Sequence, residues 1–234
     1  MRIFGNFVEA VDEVERELLE MGHAVDSHSF QNVVTENNPN YRTRELMGYS
    51  FMITDISGLG IINLIKRKNL NIEWLAEELD ERISGKRLNP GQAWKLRLED
   101  WQQFLTPEGE FDYTYSERLC DQLDMIIKEL RVRPNSRQAI LQMYRHDLDH
   151  PNLGGKARIP CTMYYQLMIR NSVINIIYTM RSSDFYTHFP YDITLAAGLA
   201  NHIGEELGIP IGSGIYFFGS LHAFEKDLKA RGVF

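Results

Sequence analysis

A β-hairpin in the second half of the chain is the feature that most constrains its fold. The runs TMYYQLMIR (162–170) and VINIIYTMR (173–181) are rich in aromatic and β-branched residues, which favour strands. Only Asn171 and Ser172 separate the runs, and a short polar connection of this kind is typical of a tight hairpin turn. The sequence therefore predicts two long antiparallel strands that lie side by side in a sheet.

Helices and further strands surround this hairpin without the regular alternation of a βαβ protein. Hydrophobic spacing predicts helices at about 7–22, 72–84, 115–130 and 193–208, strands at 48–56, 136–144 and 214–224, and a helical turn at 225–231. Gly85 would end the second helix, and residues 86–114 look irregular. Because no linker or change of composition divides the chain, we expect a single domain over 1–234 of the α+β class.

Composition limits the classes of function. The chain has 234 residues, 44% of them hydrophobic, and a net charge of −7. An acidic protein has little general affinity for nucleic acid, although a few arginines suffice to hold a small phosphate ester. The acidic start lacks a signal-peptide pattern, and no apolar run approaches the ~18 residues of a membrane span. With only two cysteines far apart, we expect a cytoplasmic protein that binds neither nucleic acid, membrane nor metal.

Cys161 follows a proline at the start of the hairpin. Taken alone, such a thiol is either a small packing residue or a nucleophile. The second hairpin strand ends in Arg181 and Ser182, and a guanidinium beside a hydroxyl suits phosphate binding. An arginine close to a thiol also favours the reactive thiolate. Upstream, Arg133 and Arg137 form a second basic site, which is either a solvated turn or part of a phosphate site.

Five motifs in sequence order resemble the catalytic half of the thymidylate synthases. That family carries Pro-Cys, then a glutamine, Arg-Ser-x-Asp, Pro-Phe-Asn and Gly-Asp-x-His-x-Tyr. At matching intervals this chain has Pro160-Cys161, Gln166, Arg181-Ser182-Ser183-Asp184, Pro190-Tyr191-Asp192 and Gly219-Ser220-Leu221-His222-Ala223-Phe224. Asn135-Ser136-Arg137 is similar to the family's Asp-Ser-Arg-Arg turn. The resemblance is strong over roughly 130–225 and weak before that.

Three departures from the synthase pattern indicate a branch of the family. Asp192 replaces an asparagine, Ser220 replaces an aspartate, and Thr162 follows the cysteine where the synthases usually have histidine. All three are similar to the phage deoxycytidylate hydroxymethylases, which resemble thymidylate synthase in fold. The resemblance therefore implies a thymidylate synthase-like fold, with a mixed sheet flanked by helices and a homodimer formed through the sheet.

The resemblance also implies an activity. The family transfers a one-carbon unit from 5,10-methylenetetrahydrofolate to C5 of a pyrimidine nucleoside monophosphate. Cys161 would add to C6 and so make C5 nucleophilic, and water would then give a hydroxymethyl product. Glu78, seven residues before Gly85, would be the general acid and base, with Glu73 and Glu77 as alternatives.

Further residues acquire roles from the same resemblance. Arg137 would be donated across the dimer interface, and His222 would contact a sugar hydroxyl. Phe224 lacks the hydroxyl of the family's tyrosine, which leaves the choice between ribose and deoxyribose open. The implied substrate-binding set is Arg42, Arg137, Gln166, Arg181, Ser182, Asp192 and His222, and the implied folate-binding residues are Asp184 and Trp94.

Asp192 bears on which base is bound. An asparagine amide offers one donor and one acceptor and suits N3–H and O4 of uracil. A carboxylate accepts from the amino group of cytosine and shares a proton with N3, but it faces the O4 acceptor of uracil unfavourably. This chemistry favours a cytosine nucleotide, dCMP or CMP. Alternatively, Asp192 caps a helix that starts near Ile193.

Other functions remain open at this level. A thymidylate synthase or a dUMP hydroxymethylase would share most of the motifs, and Asp192 is the feature against both. A non-catalytic nucleotide-binding relative would keep the pocket, but binding alone does not require the thiol of Cys161. An unrelated thiol hydrolase ranks last, because the sequence indicates no Cys-His-Asn or Cys-His-Asp arrangement.

Overall fold

The computed structural model describes residues 1–26, 29–30, 33–34, 38–149 and 158–232. Its strands are β1 (Arg2–Phe4), β2 (His23–Asp26), β3 (Ser29–Phe30), β4 (Val33–Val34), β5 (Arg42–Ile53), β6 (Ile140–Gln142), β7 (Thr162–Arg170), β8 (Val173–Asp184) and β9 (Ile211–Phe224). Its α-helices are α1 (Phe7–Met21), α2 (Gly58–Lys68), α3 (Ile72–Ile83), α4 (Leu98–Trp101), α5 (Tyr115–Leu119), α6 (Leu123–Val132), α7 (His146–Asp149), α8 (Phe189–Leu207) and α9 (Glu225–Ala230). Short 3₁₀ turns lie at Pro39–Tyr41, Ala93–Arg97 and Gln102–Phe104.

One mixed sheet organises the described residues. Its strand order is β1-β5-β9-β8-β7-β6, and β2 also pairs with β5. The pairs β5/β9, β7/β8 and β6/β7 are antiparallel, whereas β1/β5 and β8/β9 are parallel. Helices pack against this sheet, with α1 on β5 and α8 on β8 and β9. The α+β class and the mixed sheet flanked by helices are therefore confirmed.

The predicted hairpin is confirmed as the pair β7 and β8. Its strands pair from Thr162 opposite Met180 to Arg170 opposite Val173, with one shift of register between Thr162 and Tyr164. Asn171 and Ser172 both adopt positive φ, 51° and 61°, as the tight turn between twisted strands requires.

One face of the sheet forms the core. Along β8 the alternating side chains Ile174, Ile176, Tyr178 and Met180 are buried, and the helix packed on that strand is α8. The helix contributes further buried side chains such as Ile193 to the same hydrophobic cluster. Side chains alternate across a strand, so this burial fixes which residues point to the other face.

The other face of the sheet carries apolar side chains that the single chain leaves partly uncovered. We call it the open sheet face and define it by Met52, Ile177, Ile215 and Phe217. Ile215 pairs with Met52 on one side and with Ile177 on the other, so these residues are direct neighbours. All four are half-buried or exposed, and 41% of the Phe217 surface is accessible. Exposed apolar surface of this kind usually marks an interface.

The single helix predicted at 115–130 is wrong. The segment forms two helices, α5 and α6, that are separated at 120–122. Gln122 explains the interruption, because its side-chain amide donates to the carbonyl of Arg118 at 2.6 Å and to that of Gln142 in β6 at 2.8 Å. A tertiary contact thus overrides a continuous helical pattern.

Several other boundaries differ from the prediction. The strand predicted at 48–56 is β5, which begins at Arg42 because its charged first residues pair with β2 and β9. Of the segment predicted as a strand at 136–144, only Ile140–Gln142 forms one. Helix α2 was not predicted. The helix predicted at 193–208 begins at Phe189, with Pro190 in its first turn, where a missing N–H is not needed.

No helix in the described part of the chain is long and apolar enough to cross a bilayer.

Candidate active site

The thiol of Cys161 lies between the two side chains that the sequence placed near it. Cys161 immediately precedes β7, and its carbonyl accepts a hydrogen bond from the Arg181 amide at 2.8 Å. This pairing brings the Arg181 guanidinium and the Ser182 hydroxyl each to 3.7 Å from the Cys161 sulfur. The β7–β8 hairpin therefore assembles a thiol, a cation and a hydroxyl at one point.

Arg181 is held in place by the backbone that carries the thiol. Its Nε donates to the carbonyl of Pro160 and its Nη2 to that of Ile159, both at 2.9 Å. Its Nη1 donates to the Ser182 hydroxyl at 3.1 Å. In the described ranges no carboxylate pairs with Arg181, so its positive charge remains available to a bound anion.

A cavity of about 740 Å³ is lined by Cys161, Arg181 and Ser182. Pockets of this size hold small-molecule ligands in many proteins. Asp184, Asp192 and His222 line the same cavity, so six of the residues named from the sequence come together there. The other five site residues predicted from the sequence do not line this cavity: Glu78, Arg42, Arg137, Gln166 and Trp94.

Asp192 presents a half-buried carboxyl to this cavity. It lies in the first turn of α8, where its N–H donates to the carbonyl of His188 at 2.9 Å. The interpretation that it caps a helix starting near Ile193 is therefore wrong. Burial raises the pKa of Asp192 to about 7, although the Ser183 hydroxyl donates to Oδ2 at 2.9 Å and Arg82 acts in the opposite direction. A carboxyl that changes protonation near neutral pH can donate or accept a proton there.

His222 lies between two acidic residues on neighbouring strands. It is opposite Glu45 in the β5/β9 pairing and opposite Asp184 in the β8/β9 pairing. The Ser220 hydroxyl donates to Oε2 of Glu45 at 2.8 Å and is 3.2 Å from Nδ1 of His222. Burial lowers the pKa of His222, so the ring is neutral at physiological pH despite Asp184 and Glu45.

Aromatic rings form another part of the cavity wall. Trp101, Tyr113 and Arg158 line it, with the buried Arg158 guanidinium 4.4 Å from the Trp101 ring and 4.9 Å from the Tyr113 ring. His188 also lines it, and burial lowers the pKa of this histidine to about 4. Sequence reasoning did not single out Arg158 or His188, and no motif pointed to them.

The tryptophan chosen from the sequence does not line the cavity. Trp94 packs edge-on against Phe111, with ring centroids 6.1 Å apart. Trp101, in the same irregular segment, lines the cavity in its place. Both indoles lie between α3 and α5, and spacing alone gave no means of choosing between them.

Glu78 does not line the cavity, but it forms an ion pair with Arg82, which does. Its carboxylate accepts from Nε of Arg82 at 2.8 Å, one turn along α3. Arg82 itself lines the cavity, with its guanidinium 4.0 Å from the Tyr115 ring and only 6% of its side chain exposed. An arginine on an amphipathic helix normally looks solvated in sequence, which is why Arg82 was missed.

The remaining basic positions lie outside the cavity of the single chain. Arg42 lies 3.5 Å from Asp26 and 3.8 Å from Glu225, and 47% of its side chain is exposed. Arg137 is exposed in the turn before β6, and its carbonyl accepts from the Gln166 side chain at 2.8 Å. Gln166 is paired with Ile177, so this turn is attached to the open sheet face.

The described residues contain no group of histidine, cysteine and acidic side chains that could hold a metal ion.

The sequence matches known proteins. The thymidylate synthase family model matches residues 29–231. Deoxycytidylate 5-hydroxymethyltransferase of Enterobacteria phage T6 is 30% identical over 91% of this chain and 87% of its own length. Thymidylate synthases of Listeria monocytogenes and Listeria innocua are 25% identical over 59% of this chain, and the match spans only 40% of their length. The chain belongs to the thymidylate synthase family.

Proposed function

We propose that the protein hydroxymethylates C5 of a cytosine nucleoside monophosphate, with methylenetetrahydrofolate as the one-carbon donor. The observation that carries this proposal is the half-buried carboxyl of Asp192, with its raised pKa, in the same cavity as the Cys161 thiol. The thiol supports covalent catalysis on a pyrimidine, and the carboxyl supports cytosine as its base. The similarity to the phage T6 hydroxymethyltransferase over 91% of the chain supports the same choice.

Cys161 is the proposed nucleophile. Its thiolate forms a bond to C6, and the electron pair of the C5–C6 double bond moves into the ring towards N3. Asp192 then donates its proton to N3, which leaves C5 with the character of an enamine carbon. A pKa of about 7 suits this transfer, because the acid is still protonated near neutral pH and gives up its proton readily.

Methylenetetrahydrofolate supplies a carbon at the oxidation level of formaldehyde when it is bound. Trp101 offers an aromatic face in the cavity for a flat ring, and Asp184 offers a carboxylate there. We propose Trp101 for the role that the sequence gave to Trp94. Once the carbon is bonded to C5, C5 would lose its hydrogen as a proton and tetrahydrofolate would leave, which gives an exocyclic methylene at C5. Water adds to this methylene carbon and loses a proton. Cys161 then leaves C6 as the C5–C6 double bond re-forms and N3 returns its proton to Asp192.

Phosphate binding is proposed for Arg181 and Ser182, which present a fixed guanidinium and a hydroxyl beside the thiol. Glu78 stays our proposed general acid and base, since its partner Arg82 lines the cavity. Arg42 stays a proposed phosphate ligand, since the adjacent Thr43 lines the cavity.

We further propose a homodimer formed through the open sheet face. Its apolar side chains are partly uncovered in the single chain, and their burial would be favourable. The Arg137 turn is attached to that face through Gln166, so a partner subunit docked there would receive the arginine near its own cavity. A two-fold interface places the same arginine in each site.

Mixing two impaired variants, assayed at a nucleotide concentration too low to saturate Arg137→Ala, tests this sharing of residues. Cys161→Ala subunits keep Arg137, and Arg137→Ala subunits keep the thiol. Refolded together in equal amounts, they form heterodimers in which one site has both groups, and about a quarter of wild-type activity should return. Activity that stays at the level of the separate variants would contradict a shared site.

Release of tritium from C5-labelled dCMP, CMP, dUMP and UMP tests the reaction itself. With methylenetetrahydrofolate present, we expect release from a cytosine nucleotide and none from Cys161→Ala. Release from dUMP with a methylated product would make the protein a thymidylate synthase. No release from any of the four, despite measurable nucleotide binding, would leave a nucleotide-binding relative without the reaction.

A further inference from the structure

Three polar side chains from β5 and β9 form a hydrogen-bonded chain at the cavity wall. Glu45, Ser220 and His222 all line the cavity. The Ser220 hydroxyl is 2.8 Å from Oε2 of Glu45 and 3.2 Å from Nδ1 of His222. The β5/β9 pairing sets Glu45 directly opposite His222, and Ser220 is two residues away on the same strand, so all three point to one face.

The direction of these hydrogen bonds follows from what each group can do. A carboxylate has acceptors only, so the single hydroxyl proton of Ser220 is donated to Glu45. The Ser220 oxygen can then only accept from His222, which requires a proton on Nδ1. In a neutral imidazole the other nitrogen, Nε2, is then an acceptor.

The electrostatic surroundings keep the ring in the neutral form. Burial is the largest influence on His222 and disfavours imidazolium, and Arg181 acts in the same direction. Asp184, Glu45 and a hydrogen bond with the Ser220 backbone act in the opposite direction but do not overcome burial. Within the described residues Asp184 makes no hydrogen bond to the ring, so it does not compete with Ser220 for Nδ1.

We propose that Glu45 is a positioning residue that acts through Ser220 to fix His222 with its proton on Nδ1, which leaves Nε2 as an acceptor for a sugar hydroxyl. The contact with a sugar rests on the proposed function, whereas the assignment of the proton does not. Glu45 lies in the segment where the resemblance is weak, and nothing in the sequence connected it with His222. Its role is to determine what the histidine can recognise rather than to touch the reacting atoms.

Nitrogen-15 NMR of the histidine-labelled protein tests the proton assignment without any ligand. The His222 signals are identified by their loss in His222→Gln. We expect the wild type to have Nδ1 protonated and Nε2 unprotonated, and Glu45→Ala to lose this preference. A wild-type ring with its proton on Nε2, or on both nitrogens at pH 7.5, would overturn the proposal.

Two further variants separate this role from damage to the fold. Ser220→Ala removes the bridge but leaves the carboxylate, and it should disturb the His222 signals as Glu45→Ala does. Ser220→Thr keeps a hydroxyl and should keep the wild-type pattern. If Ser220→Ala also keeps the wild-type pattern, Ser220 does not transmit the effect and the proposal fails.

Binding of nucleotides that differ by one hydroxyl tests the consequence. For wild type, removing the 3′-hydroxyl of dCMP should weaken binding about fivefold to tenfold, the typical worth of one hydrogen bond. In Glu45→Ala the same removal should cost less than about twofold, because the acceptor is no longer fixed. Glu20→Ala, on the exposed side of α1, is the matched control and should behave as wild type.

The outcomes of the two experiments are distinguishable. Equal sensitivity to the missing hydroxyl in wild type and Glu45→Ala would overturn the positioning role. If wild type binds no pyrimidine nucleotide at all, the proposed function fails, and the NMR result alone then decides the proton assignment.

Discussion

Replacing Asp192 by asparagine exchanges one carboxyl oxygen for an amide nitrogen at a half-buried position of the cavity wall. The side chain keeps its size, so packing around α8 changes little. The substitution removes the titratable carboxyl, because an amide carries no proton that ionises in this pH range. The variant therefore isolates the effect of the perturbed carboxyl on both stability and base preference.

The size of the stability effect follows from the pKa. Burial raises the pKa of Asp192 from 3.8 to about 7, a difference of about 3 units. Between these values the unfolded chain releases the proton while the folded chain keeps it, so stability falls as pH rises through this window. At about 1.4 kcal/mol for each unit, the loss amounts to roughly 4 kcal/mol between pH 4 and pH 8.

Asp192→Asn should lack this loss. We expect the variant and wild type to be similarly stable near pH 4, and the variant to be more stable by roughly 4 kcal/mol at pH 8. Urea unfolding at fixed protein concentration, repeated across this pH range, measures the difference. Asp124→Asn, at an exposed position of α6, is the control and should show no such trend. A difference for Asp192→Asn that does not change with pH would refute the reasoning.

The same variant should change the preferred base. The ratio of kcat/KM for cytosine over uracil nucleotides should fall at least about tenfold, since the carboxyl that disfavours O4 is gone. An unchanged ratio would show that another group reads the base.

Three further substitutions test other parts of the site. Cys161→Ala should abolish exchange of the C5 hydrogen, while its nucleotide affinity, measured by calorimetry, stays within several-fold of the wild-type value. Retained exchange would exclude the thiol as nucleophile. In steady-state kinetics, Trp101→Ala should raise the KM for methylenetetrahydrofolate at least about tenfold, with little effect on nucleotide binding. Trp94→Ala should leave this KM unchanged. Equal effects of the two substitutions would contradict the proposed role of Trp101. Arg137→Ala should weaken phosphate binding by about 1–3 kcal/mol in the same calorimetric assay, and wild-type affinity would show that this turn is only a surface loop.

Local interactions explain what could be predicted from the sequence. The hairpin depends on Asn171 and Ser172, whose positive φ values satisfy the turn without help from distant residues. Because the hairpin is local, it also determines that Arg181 and Ser182 meet Cys161. A break such as the one before α6 depends instead on the bond from Gln122 to a distant carbonyl in β6, and no local pattern contains that information.

The parts of the site that were missed come from segments far apart in the chain. Glu45 reaches Ser220 only because β5 and β9 are paired, although 175 residues separate them. Arg82 lies on a helix whose charged residues look solvated in sequence, and the cavity wall is visible only in three dimensions. Trp101 was missed for a similar reason: it lines the cavity, but the irregular segment between α3 and α5 has no periodicity that shows where a side chain points.

The most direct test of the central claim is the product formed from dCMP or CMP and methylenetetrahydrofolate in oxygen-18 water. Mass spectrometry identifies both the group added at C5 and the source of its oxygen. We expect a 5-hydroxymethylcytosine nucleotide that carries one labelled oxygen from the solvent. A methylated product, or a product formed only from a uracil nucleotide, would contradict the proposed reaction.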